Sequence, residues 1–472
     1  MLPKTTEGGA GKGIPGRPEA HDANRSVGSA RRPRGPGGAS GPWALLLLLP
    51  LGVLAPLGLT LAGGDACRAA ADPLVVHEWR TFTSMQGVDG FGLEGLHREE
   101  EALPKFVHDL GGACSLGHPQ GKGLHAAPSR VTQKMETPVI YFHTKTPARV
   151  KVRVDFPRGL LSQWYPNTSQ PVRSPGDLDL SKIESTSLAW DVELVPSEAP
   201  GEVPEVSTDD PWHFAREVDA AWCRVAAKGD DEVGLPSGPT EAERYLFYRG
   251  LGAFTLPLVT SPGAKAGQVV TANAGAEAVP FAFGLQVDLA RTTIRWAPLG
   301  AIPSGGAVTF DASATAPKAL ETGVAELQVA VQAQLEAQGL FADEARAMVR
   351  TWARSWFGSP GTRVLWLVPR ARVDALLPLA IEPAPATLVR AFVGRLEVVT
   401  PEVEAELEAA LLARKGSGEA DAKTRAAAEA RLQACGRLLE PHLRAVLRST
   451  KDAAVRESAT ELLARLASRP GE

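Results

Sequence analysis

The chain has 472 residues, of which 44% are hydrophobic, and its formal net charge is −4 at pH 7. This length predicts two or three domains, and the mildly acidic balance argues against a nucleic-acid-binding protein, because such proteins carry an excess of Lys and Arg that contacts phosphates. Four cysteines in the whole chain exclude a small disulfide scaffold. Cys114 and Cys223 either pair or remain two buried thiols.

The N-terminal part carries signals for export. Residues 1–40 are rich in Gly, Pro, Ser and Arg, which predicts a disordered cytoplasmic leader. Residues 41–64 are predicted to be a membrane-spanning or signal segment, because 43–64 contain no charged residue and are long enough to cross a bilayer. The cationic leader would stay inside, so the body is expected in the cell envelope. It is either anchored in the inner membrane or released into the periplasm by cleavage before Asp72.

Alternating apolar and polar residues predict strands through much of the exported body, residues 72–399. The alternation is clear at 75–83, 150–156 and 188–194. Residues 139–142 and 150–156 are expected to form a hairpin. Many short strands separated by Gly and Pro turns favour a sandwich-like domain.

Helices are predicted to interrupt these strands. Asp209 or Asp210 can cap a helix that has Pro211 in its first turn. Thr240 and Glu243 have the spacing of a capping box, which predicts another helix start. Further helices are expected from 320 to about Gly339 and from Phe341 onward.

Strand patterns are absent from the sequence after Thr400, so residues 400–468 are predicted to form a small all-α module. Thr400 and Pro401 suit a helix start. Residues 438–466 resemble a single HEAT-type helical repeat, which needs neighbouring helices to bury its faces. The whole chain is therefore predicted to be α+β: a strand-rich, sandwich-like domain with inserted helices, followed by this helical module.

Four segments resemble blocks of an uncharacterised family of exported bacterial proteins. Its opening motif is similar to His-Glu-Trp-Gly-Thr-Phe-Thr, and residues 77–83 here read His-Glu-Trp-Arg-Thr-Phe-Thr. Residues 134–142, 246–250 and 363–370 resemble later blocks. The resemblance implies a shared fold and export, without an assigned activity. Arg80 stands where the family tends to have Gly.

Histidines are concentrated in one part of the sequence: seven of nine lie between residues 77 and 213. Neutral imidazoles together with a carboxylate would suit zinc or a similar divalent ion. His77, His108 and His143 are the candidate ligands, although no His-x-His or His-x-x-x-His pair supports them. The alternative is a set of surface or hydrogen-bonded histidines. Apart from this metal, no cofactor is predicted.

Two functions remain open from the sequence. The first is a non-enzymatic binding module of the envelope, which would contact a protein partner through the C-terminal helices. The second is a metal-dependent hydrolase that uses histidines of the 77–143 region. No Gly-x-Ser-x-Gly nucleophile motif and no phosphate-binding loop occurs, so the sequence leans away from an enzyme.

Overall fold

The computed structural model describes residues 73–99, 102–110, 130–136, 138–169, 179–196, 203–226, 240–353, 355–415 and 420–468. The leader 1–40 and the segment 41–64 lie outside these residues, as does Cys114, whereas Cys223 is buried.

Strands make up most of the body. In chain order they are β1 Val75–Gln86, β2 His108–Asp109, β3 Gln133–Met135, β4 Val139–His143, β5 Ala148–Pro157, β6 Gly159–Tyr165, β7 Ser185–Val195, β8 Trp222–Ala226, β9 Thr240–Glu243, β10 Leu246–Gly252, β11 Leu258–Pro262, β12 Gln268–Asn273, β13 Val279–Val287, β14 Thr293–Ile302, β15 Ala307–Asp311, β16 Lys318–Ala319, β17 Gly361–Leu367, β18 Leu379–Glu382 and β19 Thr387–Val398.

Helices are shorter in total and are concentrated toward the C-terminus. They are α1 Pro211–Arg216, α2 Leu320–Ala337, α3 Ala342–Trp352, α4 Arg370–Leu376, α5 Pro401–Ala413, α6 Ala420–Gln433, α7 Leu439–Ser449 and α8 Ala453–Ser468, with a 3-10 turn at Gly436–Leu438. Of the two possible caps of α1, Asp210 is the one used, and it accepts from the N–H of Trp212. The predicted cap at Thr400 is confirmed, since Thr400 accepts from the N–H of Val403.

A large sheet forms the centre of the body. Among the described strands its order is β16-β14-β13-β17-β19-β1-β3-β10-β6-β2, and β4 pairs with both β1 and β10. Its middle pair, β1 and β19, is parallel over twelve residues, whereas the other pairs are antiparallel. A second sheet has the order β18-β5-β7-β8-β9, and a third has the order β11-β12-β15.

Each face of the large sheet buries its own core. One core contains Phe82 and Trp366 of the large sheet together with Val152 and Trp190 of the second sheet, so these two sheets form the predicted sandwich. The opposite face packs against α1, α2 and α3, where Leu327 and Met348 meet the strand residues. A third core lies among α5 to α8. The fold is therefore α+β with a helical C-terminal module.

Two local predictions are wrong. Residues 139–143 and 148–157 do not form a hairpin, because β4 pairs within the large sheet while β5 pairs with β7 and β18. Thr240 and Glu243 lie in β9, which pairs with β8, so the capping-box spacing there does not start a helix. Strand pairing outweighs a local signal of this kind.

The prediction of a transmembrane helix is also contradicted. No helix in the described part of the chain is both long enough and apolar enough to cross a membrane. The longest, α2, has 18 residues and carries charges such as Glu321 and Glu336 along its length, so it packs one apolar face on the sheet and turns a polar face outward. The division of the chain at residue 400 stays a prediction, as does export.

Candidate functional site

Two of the three candidate histidines meet on the helix-covered face of the large sheet. His77 is on β1 and His143 is at the end of β4, and these strands are antiparallel with His77 opposite Tyr141 and Val75 opposite His143. Side chains two residues apart on a strand share a face, so His143 lies diagonally across from His77. Their ring centroids are 5.1 Å apart.

Helix α3 adds a carboxylate between these two rings. Glu344 is in the first turn of α3, and the backbone N–H of Phe341 donates to its Oε2 atom over 2.7 Å. This contact satisfies one of the free N–H groups at the helix start and fixes the direction of the side chain. The helix start at Phe341 is predictable from the sequence, whereas no local pattern marks Glu344 as a candidate ligand.

The three side chains form a compact cluster in which His77 and Glu344 are buried and His143 is partly exposed. His77 Nδ1 lies 2.7 Å from Glu344 Oε2, and His143 Nε2 lies 2.9 Å from Glu344 Oε1. Burial would raise the pKa of Glu344, but its interactions with the His143 and His77 rings outweigh it, so the pKa lies below its usual value. The carboxylate is therefore held ionised beside two imidazoles. One ligand atom from each residue can be chosen so that all three lie within 4.8 Å of one another.

The third candidate, His108, lies in a different place. It is on β2, where its Nε2 atom is 2.9 Å from Glu241 Oε2, and its ring lies near Trp164 and Tyr165. The structure thus brings together His77 and His143 but leaves His108 in a separate pair with Glu241.

A cavity of about 70 Å³ lies on the same face of the large sheet. We call it the aromatic cavity. It is lined by side chains from β1, β10, α1, α3 and the adjoining loops, and its aromatic lining is Trp79, Trp212, Tyr245, Phe247, Trp352 and Trp356. Trp212 packs at 4.9 Å from Phe247, and Trp352 stacks on Trp356 at 4.7 Å. These tryptophans are nearly fully buried.

Charged residues close one side of the aromatic cavity, and each has a partner. Arg249 donates to the backbone oxygen of Glu136 over 2.7 Å and to Glu99 Oε2 over 2.5 Å. The Glu136 side chain accepts from Arg437 over 2.9 Å. Lys134, which is 1% exposed, pairs with Glu99 at 2.7 Å. The charges beside the cavity are thus largely compensated within the protein.

Comparisons with known proteins give little further information. No protein-family model and no curated protein matches this chain. Among solved structures, the zebrafish (Danio rerio) Fcho1 Mu homology domain with bound Eps15 peptide has a TM-score of 0.24 and 7% identity, covering 70% of this chain and 98% of that one. The yeast delta-COP-I mu-homology domain complexed with Dsl1 WxWxV peptide has a TM-score of 0.20 and 5% identity, covering 70% and 97%. Scores this low carry no argument about function.

Proposed function

We propose that this chain is a non-enzymatic binding module of the cell envelope, and that the aromatic cavity receives an apolar side chain of a protein partner. The observation that supports this most is a cavity lined by six aromatic side chains, four of which lie on β1, β10, α1 and α3. Concave sites with a mainly apolar lining and a few polar groups are the usual form of ligand sites.

The chemistry of the lining determines the class of ligand. The charges of Arg249 and Glu136 already have partners, so a charged ligand group would have to displace an existing ion pair. An uncharged apolar group loses no such contact and gains the burial of its surface, about 25 cal/mol per Å². Because the cavity is small, it suits one ring or one branched aliphatic group.

The C-terminal helices are a lesser part of this proposal. Leu438 and Ala445 pack into the main core, so one face of this module is already used by the body of the protein. Leu412 is 43% exposed, so it remains available to contact a protein partner. The binding proposal therefore rests on the aromatic cavity.

The metal-dependent hydrolase receives less support. His77, His143 and Glu344 do not line the aromatic cavity, and the carboxylate between the imidazoles is fully buried. A catalytic metal needs an open coordination position that a substrate can reach.

Side-chain analogues test the aromatic cavity directly. We expect N-acetyl-tryptophanamide, N-acetyl-phenylalaninamide or N-acetyl-leucinamide to bind saturably in ligand-observed NMR titrations. Ala102 is exposed and lines the cavity, so Ala102→Trp should obstruct its entrance and weaken binding at least about tenfold, a change of about 1.4 kcal/mol.

The control variant is Ala337→Trp, which adds the same side chain to an exposed position of α2. It should bind the analogues as the unmodified protein does. Absence of saturable binding for all three analogues, or equal binding by Ala102→Trp, would contradict the proposal.

A further inference from the structure

We propose that His77, His143 and Glu344 bind a divalent transition-metal ion of the zinc class, and that this ion joins helix α3 to strands β1 and β4. The three residues come from three separate elements, and their ligand atoms already lie within 4.8 Å of one another. The site does not depend on the aromatic cavity, so it can be tested independently of the proposed binding function.

The placement of the three ligand atoms carries the proposal, and the contacts of His143 agree with it. Its Nδ1 atom faces the backbone oxygen of Asp219 at 3.1 Å, and its Nε2 atom faces Glu344 Oε1 at 2.9 Å. Both oxygens are acceptors, but a neutral imidazole has only one N–H to donate. With that proton on Nδ1, the lone pair of Nε2 points at the carboxylate. Either a second proton on the ring or a metal ion between Nε2 and the carboxylate removes this conflict, and the proposal is the metal ion.

The surrounding contacts resemble those that orient metal ligands. A ligating histidine usually donates its second N–H to a carbonyl or carboxylate, which fixes the tautomer, and the oxygen of Asp219 is placed for that role. Glu344 is held by the N–H of Phe341. The Phe341 ring packs 4.4 Å from His77 and 4.8 Å from His143, so one side of the cluster is apolar.

The ligand types select the kind of ion. Two imidazole nitrogens and a carboxylate oxygen suit zinc and similar transition ions, whereas calcium and magnesium prefer sites made only of oxygen. An ion can approach from the side of His143, whose side chain is 15% exposed, past the exposed ring of Phe341. His77 and Glu344 are nearly fully buried. The ion would therefore have a structural role.

The experiment uses the full chain without an affinity tag, after treatment with a chelator. We expect it to bind one equivalent of Zn²⁺ at this cluster in calorimetry. Co²⁺ in place of Zn²⁺ should give visible absorption bands of a nitrogen- and oxygen-ligated ion. Zn²⁺ should also raise the thermal midpoint. His143→Ala should weaken Zn²⁺ binding at least about 100-fold, since even the loss of an outer-shell contact costs 10–100-fold.

Two further variants make the result specific. His143→Cys keeps a zinc ligand and should retain binding, which also shows that position 143 can be changed without loss of the fold. His108→Ala removes a histidine that pairs with a glutamate elsewhere and should bind like the unmodified protein. If the unmodified protein takes up no Zn²⁺ and its midpoint does not change, the cluster is a protonated histidine–carboxylate pair and the proposal is wrong. Equal binding by His143→Ala overturns it as well.

Discussion

Replacing Glu78 with alanine should lower the free energy of unfolding by about 3–5 kcal/mol, because the change leaves the buried Arg80 without its carboxylate and removes one of the two carboxylates that pair with Arg390. Glu78 is fully buried on the sandwich side of β1. It pairs with Arg80, accepts from Arg390 Nε over 2.5 Å and accepts from the Tyr248 hydroxyl over 2.5 Å. Burial lowers the pKa of Arg80 from 12.5 to about 9, so the guanidinium is still charged at pH 7. Urea unfolding at pH 7 measures the loss.

A surface ion pair provides the control. Glu326 pairs with Lys318, and both side chains are 43% exposed, so Glu326→Ala should change the free energy of unfolding by less than about 1 kcal/mol. Glu78→Gln keeps the size of the side chain but removes its charge, and it should fall between the two. A similarly small loss in Glu78→Ala would show that Glu78 does not compensate the buried arginines.

Acid should destabilise the protein through Glu136, on the order of 2 kcal/mol by pH 3. Burial would raise the pKa of Glu136, but the positive charges of Arg437, Lys134 and Arg249 outweigh it and lower the pKa from 4.5 to about 2. A group whose pKa is lower in the folded state stabilises that state above its unfolded pKa. This contribution is therefore complete above about pH 5 and is lost as the pH falls toward 2. Urea midpoints at pH 6.5 and pH 3 measure it.

Two variants separate the contribution of Glu136 to the loss of stability in acid from the contribution of other buried carboxylates. Glu136→Gln removes the titrating group, so its midpoint should fall less between pH 6.5 and pH 3 than that of the unmodified protein. Arg437→Gln removes the charge that lowers the pKa most, so the pKa of Glu136 in the folded state should rise and the fall should again be smaller. If both variants keep the full acid dependence, Glu136 is not its source.

Periodicity in the sequence predicted where strands and helices lie better than it predicted which strands pair. The alternation at 188–194 lies within β7, and the helix that begins after Phe341 is α3. The partners of a strand depend on distant segments, which explains why β5 was assigned to the wrong neighbour. The cap at Asp210 was predictable because its acceptor and donor are two residues apart.

The candidate site follows the same division. His77 and His143 were each recognisable as possible ligands, but their meeting depends on the register of β1 against β4, which no local pattern contains. Glu344 was hidden because a glutamate in the first turn of a helix is ordinarily explained by the free N–H groups there. Glu344 is 267 residues away from His77 along the chain. Only the packing of α3 on the sheet brings the carboxylate of Glu344 into contact with His77.

The parallel pair at the centre of the large sheet also constrains how the chain acquires its fold. Val75 lies opposite Thr387, and Gln86 lies opposite Val398, so about 300 residues separate the two strands. At 5–20 residues per second, the ribosome needs roughly 15–60 s to make that interval. The first strand therefore waits for its central partner throughout this time. Charged side chains on an open strand disfavour pairing with another chain, so Glu78 and Arg80, which are costly to bury in the finished sheet, would lower the tendency of this strand to pair with other nascent chains.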